Sequence, residues 1–494
     1  MLLRSVRLVD LGGPASARPG SAEPVDVRVA ADRVVAVAPE LAAEPGQRVV
    51  EADGRWLSPG LWDAHVHLGQ WARRNARLDV TGTVNRDEAL RRVRDGLISA
   101  PPLLVGVGYR PATWPEAPTV AALDAVTGAH PVVLVSGDAH AGWLNSAALA
   151  RFGVSPRDEP VREAEWFALV PAVLAVEDAQ VGVGAYTAAL REAAAVGVVG
   201  VVDYEFEPGF QRWIDRYPAA GVGLRVRTST YPSDLDAAIA AGLHTGSALG
   251  DPRLTMGALK IISDGSLNTR TAHCCQPYDD GGHGVQNVPA DQLATLLQQA
   301  HAHGLEVSLH AIGDAAIESA LDAFAATGAH GRIEHAQLLA SGQARRMAEL
   351  GLAASVQPAH LLDDRRVTAQ VWDEARAARS FALRELLDAG VRLELGSDAP
   401  VAPLDPWLAI AAAVHRGEPD EPAWYPEHAI TATEALAAST TGLGTIGVGS
   451  LADLALLDQD PLAAGDSPQI ARRLRSIRAS LTLVGGVAVH DAIS

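Results

Sequence analysis

Lys260 is the only lysine among the 40 basic residues of this 494-residue chain; the other 39 are arginine. The two are interchangeable as solvated charges, but a site that needs a nucleophilic amine cannot accept a guanidinium. Lys260 is therefore a candidate for chemistry before any motif is read. His65 and His67 make a second candidate. Side chains two apart on a strand share a face, so both imidazoles can meet one cation; the alternative is a pair of ordinary surface histidines. Three further residues of ligand type close short apolar runs: His310 after Leu309, His335 after Glu334, and Asp398 after Gly396-Ser397. Lys260 itself lies in Leu259-Lys260-Ile261-Ile262, apolar surroundings that lower a lysine pKa towards the neutral amine.

These residues need a scaffold that brings strand ends together. Eight short apolar runs qualify as strands: Leu61–Val66, Val198–Tyr204, Gly223–Thr228, Met256–Ile262, Glu306–His310, Arg332–His335, Ala353–Gln357 and Arg392–Gly396. Alanine-rich helical segments separate them, the pattern of a parallel sheet with crossover helices. Eight such units close a (β/α)8 TIM barrel, which holds its catalytic groups at the C-terminal ends of its strands. The barrel is expected over residues 58–430. Both chain ends read as short strands with turns: Leu2 to Val9, a hairpin over Val25 to Val37 broken at Ala31-Asp32, then Leu454 to Leu457, Ser480 to Val484 and Val487 to Val489 around Gly485-Gly486. Residues 1–57 and 431–494 are accordingly expected to build one small β-sandwich, the latter with a helix. Residues 70–190 form an insertion after the first barrel strand, with strand-like runs at Leu103 to Gly108 and Pro131 to Ser136, and are expected over the barrel mouth. Gly12 to Pro24 reads as a surface loop.

Composition narrows the partners. A net charge of −19 repels phosphate backbones and anionic lipid, so a small-molecule substrate is expected, with neither nucleic acid nor membrane. The N-terminus lacks the basic and apolar regions of a signal peptide. The only two cysteines, Cys274 and Cys275, are adjacent and cannot form a disulfide framework. A cytoplasmic protein is expected.

Taken in order, Asp63-Ala64-His65-Val66-His67, Asp138-Ala139-His140 with Trp143-Leu144-Asn145-Ser146, Lys260 with Asp264-Gly265-Ser266, His310-Ala311-Ile312-Gly313-Asp314, Arg332-Ile333-Glu334-His335-Ala336, Gln357-Pro358-Ala359-His360, Gly396-Ser397-Asp398-Ala399-Pro400 and Ala452-Asp453-Leu454 resemble the amidohydrolase superfamily, in its YtcJ-like branch (amidohydrolase family 3), over nearly the whole chain. The resemblance implies a metal centre in which His65, His67 and Asp398 hold one ion, His310 and His335 a second, and Lys260, carboxylated by carbon dioxide, bridges both. Imidazole and oxygen ligands without thiolate suit zinc first and other transition metals next. Two such cations against a carbamate, an aspartate and a hydroxide leave about one positive charge for an anionic intermediate.

The implied activity is hydrolysis of a C–N bond, amide or cyclic amide, in a small molecule by a metal-activated hydroxide, with Asp398 as the catalytic proton carrier. Deamination of a heterocycle at one metal and ester or lactone hydrolysis are the alternatives. A non-catalytic binding scaffold would be expected to have lost ligands, and all six are present. Relatives often form homodimers.

Four residues are candidate substrate contacts: His140 and Trp143 in the insertion, Arg270 after the fourth strand as a carboxylate binder, and His360 after the seventh. Each has a plainer reading, as a brace of the insertion, a solvated surface charge or a loop histidine. Glu163 and Glu165 stand where the branch often has an acidic residue, but could be the exposed face of a helix. Cys274-Cys275 departs from the small and aliphatic residues expected there and puts the nearby pocket lining in question. His301, His303, His415 and His428 read as structural.

Overall fold

The computed structural model of the chain describes residues 1–12, 23–206, 209–279 and 281–493. Most of the stretch from Gly12 to Pro24, expected as a loop, lies outside them. Eight strands lie in one parallel sheet in chain order: β1 (Leu61–Val66), β2 (Val198–Asp203), β3 (Arg225–Thr230), β4 (Leu254–Ile262), β5 (Val307–Ala311), β6 (Gly331–His335), β7 (Ala353–Val356) and β8 (Arg392–Leu395). Seven ladders join neighbours, all parallel. A strand buried on both faces must be apolar along its length, and Leu61, Val199, Val201, Val226, Leu259, Leu309 and Ile333 are all fully buried in one continuous core with the surrounding helices.

The eighth junction differs. Between β1 and β8 the connection is made just beyond β8, where Val66 bridges Ala399, Asp398 N donates to His65 O at 2.7 Å and His67 N to Ala399 O at 2.8 Å. The Asp63 carboxylate adds an acceptor for Ser397 N at 2.9 Å. Gly396 permits this approach, since a Cβ there would stand 2.6 Å from His65 N. The barrel is thus closed at its C-terminal rim by the segment that carries Asp398.

The expected strands appear with small shifts. β3 starts at Arg225, two residues after Gly223, which lies in left-handed backbone at φ +76°. Tyr204 follows β2 but still donates its N–H to Val66 O.

The chain ends form an eight-stranded sheet in which Trp56–Pro59 joins Leu2–Leu8 to Leu454–Leu457. It curls so that Leu3, Val6, Val27, Leu454 and Leu483 share one core, the sandwich expected from both termini. Gly485 and Gly486, both at positive φ, make its last hairpin turn. Between β1 and β2, a five-stranded sheet (Leu78–Asp79, Leu104–Tyr109, Val132–Ser136, Ala141–Leu144, Val161–Arg162) has its own cores. Among the described residues no single helix is long and apolar enough to cross a membrane.

Candidate metal centre

His65, His67, Lys260, His310, His335 and Asp398 line one cavity at the C-terminal end of the barrel. The rings of His65 and His67 are 5.7 Å apart, His65 and His335 5.1 Å, and His310 and His335 4.4 Å. Asp398 Oδ1 lies 3.5 Å from His65 Nε2 and 3.4 Å from His67 Nε2. The tightest group is His65, His335 and Asp398, whose ligand atoms all lie within 4.8 Å of one another. His335 and Asp398 achieve this from left-handed backbone, at φ 69° and 56°, a conformation costly for a side chain-bearing residue and typical of functional sites.

Four buried polar atoms of this set have no hydrogen-bond partner: His67 Nδ1, Lys260 Nζ, His335 Nδ1 and Asp398 Oδ1. Each such orphan costs about 1–3 kcal/mol, and their gathering in one cavity fits a site built for cations. The donors are in the form that binding needs. Burial lowers the His65 pKa to about 4 and holds His335 well below the usual histidine range, so both imidazoles are neutral near pH 7. Lys260 is 1% exposed, with Nζ 4.6 Å from the Tyr204 ring centroid, and burial brings its pKa down to about 8. Burial opposes the charge of Asp398, yet His65 and His67 hold its carboxyl well below the usual range.

Two carboxylates without an assigned role in the sequence orient this set. Glu334 Oε2 accepts from His65 Nδ1 at 2.7 Å, while Oε1 accepts from Tyr204 at 2.9 Å and from Ser308. Burial would push the Glu334 carboxyl up, but His65, Lys260 and Arg332 keep it ionised. The bond fixes the proton of His65 on Nδ1 and leaves Nε2 for a metal. Consecutive strand residues face opposite sides; the φ of His335 breaks that alternation and lets both Glu334 and His335 point inward. Asp264 accepts from the backbone N–H groups of His273, Ile312 and Gly313 and stands 3.4 Å from His310 Nε2. That nitrogen also contacts Gly265 O at 3.1 Å. Both acids stand inside landmark motifs, the one signal that marks them.

The insertion completes the cavity. His140 lines it, with Nδ1 held 3.1 Å from Glu163 Oε2. Glu163 in turn accepts from Thr271 Oγ1 at 2.7 Å and Thr269 Oγ1 at 3.2 Å. It is therefore a site residue, whereas Glu165 is exposed and paired with Arg157. Burial works against a charged His140, but Glu163 outweighs it and raises the pKa. Phe206 stacks on His67 at 4.9 Å and Phe167 on Phe206 at 5.5 Å, an aromatic wall that no motif announces. His360 also lines the cavity, with Nε2 3.9 Å from Asp398 Oδ2.

Two expected substrate contacts, Trp143 and Arg270, do not line this cavity. Trp143 is fully buried in the core of the insertion, packs on Tyr109 and Trp114, and donates Nε1–H to Thr119 O at 2.8 Å; it braces the insertion because its indole is spent there. Arg270 is exposed and lies on a neighbouring groove, with its backbone in the left-handed region at φ 57°. Cys274 is buried against Tyr278 and Cys275 is exposed. Neither lines this cavity, so the departure there leaves its lining unaltered. His415 and His428 are tied to backbone carbonyls, as structural residues are.

The pattern of the amidohydrolase family matches residues 48–490. Among curated relatives, Protein LONG AFTER FAR-RED 3 of Arabidopsis thaliana is 31% identical over 470 residues, covering 83% of this chain and 79% of its own. YtcJ of Bacillus subtilis is 27% identical, covering 90% and 91%. The N-substituted formamide deformylase of Arthrobacter pascens is 27% identical, covering 91% of each. Among solved structures, an uncharacterized metal-dependent hydrolase from Pyrococcus furiosus superposes with a TM-score of 0.73 at 25% identity, over 94% of this chain and 100% of that one.

Proposed function

The chain belongs to the amidohydrolase family, in its YtcJ-like branch, and for this metal-dependent hydrolase we propose hydrolysis of an amide or cyclic amide C–N bond in a small molecule. His65, His67, His310, His335 and Asp398 would hold zinc, and Lys260 would join them as a carbamate. The observation that carries the reading is the convergence of Lys260 Nζ, His67 Nδ1, His335 Nδ1 and Asp398 Oδ1, all buried and unpartnered, in one cavity.

A bound divalent cation supplies Lewis acidity and brings the pKa of water from about 15.7 towards about 7. The remaining work belongs to the chain. Asp398, ionised and at the cavity wall, takes the proton of the attacking water as its oxygen bonds to the carbonyl carbon, and delivers that proton to the departing nitrogen. Glu334 keeps His65 in one tautomer throughout. Lys260, with a pKa near 8, has a neutral fraction at physiological pH that can add carbon dioxide with loss of a proton. Phe206 and Phe167 offer an apolar face to the substrate and keep water from that side.

The name of the Arthrobacter pascens relative, a deformylase of N-substituted formamides, supports an acyclic amide. The compact His65, His335 and Asp398 group favours a second reading, deamination at a single ion. Metal analysis of the purified protein, with a screen of formamides, N-acyl amines and cyclic amides, separates them. The expected result is two divalent ions per chain, with amide hydrolysis lost on chelation and restored by zinc. One ion with heterocycle deamination would establish the second reading, and full activity of metal-free protein would overturn both.

A further inference from the structure

Beside the catalytic cavity runs a groove of about 300 Å3, sharing with it the residues Asp138 and Asn268. Three arginines line it, Arg110, Arg162 and Arg270. Arg110 pairs with Asp363 at 3.1 Å. Among the described residues, Arg162 and Arg270 have no carboxylate partner. In a chain with 59 acidic residues against 40 basic ones, a surface guanidinium readily finds an internal counterion, and most do. Two that do not, on one groove next to the reaction site, are free to meet a ligand.

A second observation points the same way. Tyr109, 1% exposed, also lines the groove, and its hydroxyl is buried without a hydrogen-bond partner. Packing on Trp114 and Trp143 fixes the ring, so this donor is preorganised and unmatched. The single anion of the lining, Asp138, is already engaged: its oxygens accept from Ser136 Oγ, His140 N and Ser266 Oγ. The groove therefore presents guanidinium and phenol donors, and the oxygens of its one carboxylate are already hydrogen-bonded to protein groups.

We infer that this groove binds a carboxylate carried by the substrate, at the end remote from the bond that is cleaved, through Arg162, Arg270 and the Tyr109 hydroxyl. The inference rests on the proposed amide hydrolysis and narrows it to amides that bear a distal carboxylate. A planar monoanion matches guanidinium forks, while a phosphate dianion would face stronger repulsion from Asp138.

The test uses metal-loaded full-length protein and ω-formamido carboxylates with roughly two to five methylenes between the groups, each paired with its neutral carboxamide. Binding is followed by calorimetry and turnover by amine release. At one chain length the carboxylate should bind roughly tenfold tighter than its carboxamide, with the preference shrinking as salt rises. In Arg162→Gln/Arg270→Gln the ratio should fall to about one, and in Tyr109→Phe by a factor of about three. A preference that survives the double substitution, or that appears at no length, overturns the inference. Hydrolysis of the neutral formamides with no carboxylate preference sinks the groove alone. Arginine-dependent binding without hydrolysis of any pair keeps the groove and removes the amide reaction.

Discussion

Glu334 holds His65 by its inner nitrogen: the 2.7 Å contact from Nδ1 to Oε2 joins side chains that are 269 positions apart and both essentially inaccessible to solvent. A histidine so tethered presents Nε2 alone to the cavity, in one rotamer and one tautomer. Glu334→Gln should therefore weaken metal binding and turnover together by about 10–100-fold, the usual cost of losing an orienting partner. Metal titration alongside steady-state kinetics checks this; unchanged affinity would mean that the contact is only structural.

Lys260→Ala and Asp398→Asn are expected to reduce turnover at least roughly a thousandfold while leaving the circular dichroism spectrum native. Arginine in place of Lys260 should do no better, since a guanidinium cannot add carbon dioxide. A near-native rate in any of the three counts against the mechanism.

The pair of His140 and Glu163 carries a pH signature. His140 has its pKa raised in the folded protein, so its contribution to stability is complete below the ordinary histidine value of 6.5 and is lost as pH rises through the raised value. Glu163 has its pKa lowered, so its contribution is complete above the ordinary 4.5 and is lost as pH falls through the lowered value. The difference in Tm between the native protein and Glu163→Gln should accordingly peak between these two values and narrow on both sides. A difference that does not vary with pH would show that the pair is not an ionic one.

Trp143→Ala should destabilise the fold by about 3–5 kcal/mol, the range for removing a buried aromatic, with KM little altered in the protein that remains folded. Phe206→Ala, which strips the cavity wall beside His67, should instead raise KM with a smaller loss of stability. Denaturant titration and kinetics on both proteins separate a brace from a substrate contact.

The barrel and the candidate ligands at its strand ends are legible in the sequence for one physical reason. Strands buried on both faces must be apolar, so Leu61–Val66 or Val307–Ala311 stands out, and a ligand closing such a run is conspicuous. Glu334 is concealed by the same rule, because alternation assigns it the face opposite His335 until the left-handed backbone of His335 is known. Glu163 is hidden differently: a charged residue at the start of a helix looks solvated, and only the fold brings His140, Thr269 and Thr271 to it. Trp143 shares its motif with His140, yet the strand Ala141–Leu144 turns it into the core of the insertion. Phe167 and Phe206 come from segments with no shared pattern and meet only in three dimensions.

The junction of β1 with β8 gives the molecule an unusual dependence. The final stave of the cask is fastened by Asp63, His65, His67 and the peptide groups around Asp398, a set that includes three of the proposed metal ligands. Workshop and hoop are one object, so a substitution that loosens the grip on the ion also unlatches the wall around it, and inactivation here should carry an architectural cost that a site borne on detachable loops would escape.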